Sequence, residues 1–498
     1  MQHSSIDQEK AMSDDGTPKI LDEIDVNEAA YLDVTRIAED ASLDRRILLK
    51  TDGIVLSLLV ITATLEFLDK NALAYAAVWG LRKDTGLVGQ QYSNVASVFY
   101  YGYLGALFVC MWLVTKVPAG KLIGVSTTAW GIVVLSMAAC KNYGGLIAVR
   151  FSLGVCEAAI LPCFLIMSSL WWKKREQPLR TALFYNTFAG VFGGILSYAL
   201  GHIDGSLAKW KYLFIVYGSV TVAFGLLVTA ILPSRPETAW FLNPRERIRA
   251  VARLNENQQN VEAKTFRPAQ CFEALKDTRY WILIFYAIAQ SITNAGITNF
   301  NPLIINGLNF SPSRTTLMAT PQAAVALIAQ VTFSAIAYFV PNIRCLLWMI
   351  SCLPAIAGCV IIRCVDHVTQ RGVALAGIYM LGFYNVSWVL ALSLATSNTA
   401  GTTKKAFVST SISVAYAVGN LAGPQGFRAS QAPVYSSGIV MMLVCFCSMF
   451  ILGGAYWATC LVSNRKREAR NGVVKPEDMH FAPGDLTDGQ NEEFRYTY

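Results

Sequence analysis

The chain carries 498 residues, 54% of them hydrophobic and only 15% charged, with a formal net charge of +8. A soluble globular domain holds nearer one-quarter charged residues, so that class is set aside and an all-α polytopic membrane protein is expected. The basic residues sit mostly in short loops between apolar runs, a placement that sets membrane topology, so no nucleic-acid partner is expected. Cys110, Cys156, Cys163, Cys352, Cys359, Cys445 and Cys447 all lie inside apolar runs. They follow neither a metal-ligand spacing nor the loop placement of a secreted disulfide framework. They read as small apolar helix residues, and neither a metal nor a cofactor is expected.

In chain order, residues 1–50 read as a polar, acidic cytosolic tail, with Asp14, Asp15, Asp22, Glu23 and Asp25 and no signal peptide. About twelve apolar runs follow, each read as a helix because a bilayer forces the backbone to satisfy itself. The first six fall near 53–80, 92–115, 121–140, 143–172, 181–203 and 211–232. The second six fall near 280–308, 315–340, 345–365, 372–398, 406–427 and 434–463. They divide into a six-helix bundle over 51–233, a loop over 234–279, a second bundle over 280–463 and a cytosolic tail over 464–498. Arg45, Arg46, Lys50, Lys116, Lys121, Lys173, Lys174, Arg175 and Arg180 fall on one side of the first bundle. That excess favours both termini in the cytoplasm. In the central loop, NPRERIRAVARLNENQ reads as an amphipathic surface helix, with Asn243 as N-cap and Pro244 at the first helical position. Two groups of six joined by a long loop match transporters built from two parallel halves, with substrate bound between them near the midplane.

Charge inside the apolar runs marks the site. Glu66, Asp69 and Lys70 stand at i, i+3 and i+4 of the first run, a spacing that shares one helix face. Arg150 and Glu157 stand seven apart in the fourth, two turns and about 10 Å from each other. Charges at such depth cost several kcal/mol and are usually kept for an ion or substrate pathway. At about 1.5 Å per residue, Glu66 and Arg150 come to similar depths in a core of roughly 30 Å, and Glu157 lies deeper toward the cytoplasm. The expectation is a Glu66–Arg150 contact, with Glu66, Asp69 or Glu157 carrying a proton and Lys70 and Arg150 attracting an anion. A structural ion network joining the two helices fits the same residues.

The second bundle offers amides and aromatics: Gln290, Asn294, Asn299, Asn301, Tyr384, Asn385, Trp388 and Asn398. Asn294, Asn299, Asn385 and Trp388 are candidate substrate contacts, though amides also hydrogen-bond between helices. Gly190, Gly193, Gly194 and Gly201 in the fifth run allow close helix approach, and Gly102 and Gly105 in the second invite the same reading.

Arg150, Gly154 and Ala158 resemble the fourth-helix motif of the major facilitator superfamily, with Cys156 at its usual second glycine. FLDKNALAYA with GLRKDTGLVGQQYS (67–93), RFSLGVCEA (150–158), WWKKREQPLR (171–180), GNLAGPQGF (419–427) and DLTDGQNEEFRY (485–496) resemble the fungal allantoate permease family of anion:cation symporters. The resemblance runs over almost everything after residue 45. It implies twelve helices in two bundles, alternating access, and proton-coupled uptake of a small organic anion such as allantoate, ureidosuccinate, nicotinate, pantothenate or a small peptide. Three features depart from pattern. VTKVPAGKLIG lacks the aspartate of the superfamily gating motif, Lys70 stands where many relatives carry arginine, and the fifth run lacks the Gly-Pro pair of drug:proton antiporters.

The leading reading is a plasma-membrane symporter, a monomer in the bilayer, bringing in a carboxylate with a proton. An exporter of a secondary metabolite and a non-transporting nutrient sensor are the alternatives. His3, His202, His367 and His480 sit in no catalytic spacing, so no enzyme is expected. Asn309 heads a glycosylation sequon weakened by Pro312.

Overall fold

The structure is a computed structural model that describes residues 40, 42–173, 176, 180, 188–255, 267–367, 369–471 and 486–498. The acidic stretch with Asp14 to Asp25, most of KKREQPL after Trp172, the start of the fifth run, and His3 and His480 lie outside the described residues. Helices and turns make up the described chain, and no strand occurs among the described residues.

The helices of the first half are α1 (Ser42–Val78), α2 (Gln91–Lys116), α3 (Ala119–Met137), α4 (Tyr143–Trp171), α5 (Phe188–Leu200) and α6 (Lys209–Ile231). Two connecting helices follow, α7 (Pro244–Asn255) and α8 (Pro268–Lys276). The second half holds α9 (Thr278–Gly307), α10 (Pro312–Phe339), α11 (Arg344–Cys364), α12 (Arg371–Asn398), α13 (Thr402–Gly426) and α14 (Ser436–Asn471). Among the described residues ten of these helices are long and apolar enough to cross a membrane. With α2 and the shorter α5 they fall in the order that the twelve apolar runs lead one to expect.

Local chemistry sets the boundaries. Asn142 caps α4 by accepting from the Gly145 N–H at 2.9 Å, and Asp277 caps α9 by accepting from the Arg279 N–H at 2.9 Å. Such caps satisfy the orphan donors of a first turn. Helix α7 starts at Pro244 as expected, and Glu246 reaches back to the Asn243 N–H at 2.9 Å, the return half of a capping box. Two of its arginines turn inward while Arg245 stays exposed: Arg249 pairs with Asp44 at 2.8 Å and Arg253 with Glu176 at 2.6 Å. The helix is thereby riveted to the first half. Helix α12 passes through a 3-10 turn at Leu381–Phe383, where Gly382 lies against the Gln322 carbonyl of α10.

Close approach falls where some of the glycines stand. A Cβ at Gly154 would meet the Phe99 carbonyl oxygen at 2.0 Å, and one at Gly102 the Phe151 oxygen at 2.2 Å, so α2 and α4 touch backbone to backbone. Gly190 and Gly194 of α5 lie against Ala323 and Thr320 of α10, a seam between the halves. Gly105 has open space around it and takes no part; one turn beyond Gly102 it has rotated away from the contact stripe.

With an even number of such helices, α1 begins and α14 ends on one face, here the termini face, opposite the far face. At the far face the halves are tied together. Tyr92 donates to the Asn299 carbonyl at 2.9 Å, Ser97 to the Leu421 carbonyl at 2.8 Å, and Gln425 to Asn94 at 3.2 Å. Arg82 reaches the Tyr435 hydroxyl at 3.2 Å. At the termini face the ion pairs among the described residues stay within a half: Arg180 with Asp52 and Lys50 with Glu246 in the first, Lys404 with Glu273 and Asp488 in the second.

The chain's end belongs to that second collar. Asp488 is wholly buried and lies 2.7 Å from Lys404. Tyr496 lies under the Arg279 guanidinium, 3.4 Å from ring centre to cation. Asn398 brackets Thr497, accepting from its N–H and donating to its carbonyl, both at 2.8 Å.

Candidate substrate and proton site

The intramembrane charges of α1 and α4 meet, in a different pairing from the one expected. Lys70 donates to Glu66 one turn below it, and its ammonium is 3.3 Å from a Glu157 carboxylate oxygen. Glu157 has no exposed side-chain surface, and neither of its oxygens has a hydrogen-bond partner. The pair is therefore electrostatic and leaves hydrogen-bonding capacity on the carboxylate. Glu66 and Lys70 keep about a fifth of their surface, at 21% and 23%.

The Glu66–Arg150 contact does not form. Lys70 takes Glu66 instead, and no hydrogen bond or ion pair joins Arg150 to another described residue. Its side chain is buried at 3% exposure and its Nε has no partner. Glu157 also sits in the layer of Lys70 rather than well below it. The reason is side-chain direction. A helical Cα–Cβ bond leans toward its own N-terminus, so on antiparallel α1 and α4 the side chains of Lys70 and Glu157 lean toward each other. Counting Cα rise alone overstates their separation.

Asp69 departs from the face of Lys70. Adjacent residues on a helix stand about 100° apart, and that turn carries Asp69 into the interior of the first half. There it accepts from the Trp130 indole N–H at 2.6 Å and the Thr221 hydroxyl at 3.3 Å, while Oδ1 has no partner. Trp130 and Thr221 were not marked by the sequence, since an indole or a hydroxyl within an apolar run carries no signal until its partner is known.

Aromatic rings close the site. Lys70 lies 5.6 Å from the Phe99 ring centre. Tyr100 of α2 meets Tyr416 of α13 edge to face at 6.3 Å, across the boundary between the halves. Trp388 stacks into the same layer, 5.9 Å from Tyr416 and 6.4 Å from Tyr286.

The amides of the second half have varied work. Asn294 donates to Asn420 at 2.9 Å and accepts from the Tyr384 hydroxyl at 3.3 Å, joining α9, α12 and α13. Asn385 donates to Gln330 of α10 at 3.0 Å. The Asn299 side chain donates to the Ala295 carbonyl of its own helix. Asn398 holds the chain's end. A cavity of about 50 Å³ lies between the halves, lined by Phe67, Asn71 and Tyr75 of α1 and by Asn301, Gln322 and Tyr384 of the second half. Among the described residues no cluster of His, Cys, Asp and Glu suited to a metal ion occurs.

Residues 59–424 match the family model described as Major Facilitator Superfamily. The chain belongs to the major facilitator superfamily. Within this superfamily it is 34% identical over 479 residues to "Uncharacterized transporter C757.13" of Schizosaccharomyces pombe, covering 94% of this chain and 89% of that one. It is 32% identical over 474 residues to "Allantoate permease" of Saccharomyces cerevisiae, covering 91% and 86%. "Thiamine pathway transporter THI73" of the same yeast is 32% identical over 464 residues, covering 92% and 87%. The superfamily fold is also seen in a bacterial homolog of the human lysosomal transporter Spinster, inward-facing and unoccupied. That structure matches at a TM-score of 0.61 with 13% identity, over 85% of this chain and 98% of that one.

Proposed function

We propose that this protein is a proton-coupled symporter that carries a small organic anion across the membrane by alternating access. The observation that carries the reading is Lys70 held between Glu66 and the buried Glu157, with Arg150 buried on α4 and its Nε without a partner. A cation with two carboxylates on it can exchange one for the carboxylate of a substrate. The exchange is easiest once a proton has neutralised the carboxylate that Lys70 gives up, because an unpaired buried carboxylate is costly. Proton and anion then enter together. Lys70 and Arg150 attract the anion, Glu157 and Glu66 handle the proton at the site, and Asp69 offers a third carboxylate behind them.

Both termini lie in the cytoplasm and the membrane is the plasma membrane. The far face is then extracellular, and hydrogen bonds across it with ion pairs confined to each half at the other end support a state open to the cytoplasm. The test is uptake of labelled carboxylates, allantoate among them, into cells expressing the protein at two external pH values. Acid-stimulated accumulation of one compound is expected. Faster efflux of a metabolite with no accumulation at either pH overturns the reading in favour of export.

A further inference from the structure

We propose that the cavity between α1 and helices α9, α10 and α12 is a second, neutral subsite, which takes an N–H-bearing end of the substrate on the Asn301 carboxamide oxygen. The proposal rests on Lys70 and Arg150 receiving the carboxylate.

Three observations support it. Asn301 lines the cavity and is 5% exposed, its Nδ2 is directed to Gln322 Oε1 at 3.4 Å, and its Oδ1 has no partner. A buried acceptor without a donor carries its full desolvation cost, so the site favours an occupant that supplies one. The lining is uncharged: Asn71, Tyr75, Thr298, Asn301, Gln322 and Tyr384 are its polar side chains, with Phe67 among the apolar ones. A second carboxylate would meet no cation there. Position completes the argument. Asn71 follows Lys70 in α1 and stands about 100° from it around the helix, so the two subsites open on neighbouring faces of one helix, whose diameter with side chains is roughly 10 Å. The substrate that the proposal requires carries its carboxylate and its N–H far enough apart to lie around that helix. The volume of about 50 Å³ exceeds the roughly 10–15 Å³ that admits a single water, so a small polar group such as a carboxamide can enter.

Selectivity follows from the orphan acceptor. A site built to receive an N–H rejects the isostere lacking it, because the buried oxygen is then left without a partner. The Tyr384–Asn294–Asn420 chain fixes the neighbouring wall and leaves Tyr384 committed, so Asn301 is the group that reads the substrate.

The experiment uses the full chain in nanodiscs and two pairs of probes. Succinamate is compared with levulinate, in which a methyl ketone replaces the carboxamide at equal shape, and glutaramate with its methyl-ketone counterpart. In at least one pair the amide is expected to bind about tenfold more tightly. Asn301→Leu is expected to remove that preference by weakening the amide alone, with Asn301→Ala as the second variant should the first not fold. Lys70→Met is expected to abolish binding of amide and ketone alike. Equal affinity within both pairs, with Lys70 still required, overturns the subsite and leaves the carboxylate site standing. A preference that survives both Asn301 variants overturns the assignment to Asn301. Probe binding that survives Lys70→Met, or no binding of any probe, overturns the underlying reading and the subsite with it.

Discussion

The two halves share an architecture and differ in where they bury charge. The first half keeps Glu66, Asp69, Lys70, Arg150 and Glu157 within its spans, with Arg150, Asp69 and Glu157 at 3%, 2% and 1% exposure. The second half keeps its buried ions at the end, where Lys404, Arg279 and Asp488 meet the chain's terminus. Its interior holds amides and rings. Charge in the bilayer is costly and usually kept for transport, while an amide needs only a hydrogen-bonding neighbour. On the proposed function the contrast reads as a division of labour, in which the first half would bind the ions and the second would shape the space beside them. Rocking one half against the other would then carry a charged site past a neutral wall.

The sharpest way to break this comparison is Lys70→Met. It leaves Glu157 buried without its cation, a loss on the order of 3–5 kcal/mol, and uptake should fall more than a hundredfold while gel filtration still shows folded protein. Uptake within tenfold of wild type would remove Lys70 from the site. Next is Glu157→Gln, which keeps the shape and removes the titrating group. Acid-driven accumulation should disappear while exchange of labelled for unlabelled substrate persists, as measured in counterflow. If both persist, the coupling carboxylate is elsewhere. Trp130→Phe is milder. It removes one buried donor from Asp69, worth about 1–2 kcal/mol, and should lower transport about tenfold and move its pH profile; an unmoved profile would make Asp69 purely structural. Mildest for transport is Asp488→Asn in the second half. Lys404 keeps Glu273 at 3.0 Å, so thermal stability should drop by a few degrees with uptake nearly unchanged. A collapse of uptake there would mean that the second half also works through its ions.

Much of this contrast was legible in the sequence. Apolar runs of the right length gave the helix order, because a bilayer leaves the backbone no alternative. Charged residues inside those runs marked Lys70, Glu66 and Glu157, because few other reasons keep them there. Partner choice was harder to read. Rise per residue brought Glu66 to the depth of Arg150 but carried no information on the lean of side chains, which instead joins Lys70 to Glu157. The sharing of a face by Asp69 and Lys70 also failed, since adjacent residues diverge by about 100°. For the amides the sequence held least. Asn294, Asn301 and Asn398 look alike as letters, and only packing separates a helix tie, an orphan acceptor and a clamp on the tail.

The smallest effect expected concerns the collars outside the membrane, where the halves should behave alike. Burial alone would raise the carboxyl of Asp277 in the second half, yet the hydrogen bonds and charge of Arg279, with Lys404 beside them, hold it below its ordinary 3.8. Burial would likewise raise Glu246 in the first half, and the Lys50 hydrogen bond, the Asn243 N–H and the charges of Lys50 and Arg46 hold it below 4.5. A carboxyl lowered on folding contributes stability that is present above its unfolded value and lost as pH falls through the folded one. The contribution of both groups to the melting temperature in detergent should therefore stay constant between pH 7 and about pH 5, and should decline below about pH 4. Asp277→Asn and Glu246→Gln should each flatten that decline by a similar amount. A flattening by one variant and not the other would extend the asymmetry of the halves from the membrane interior to their charged ends.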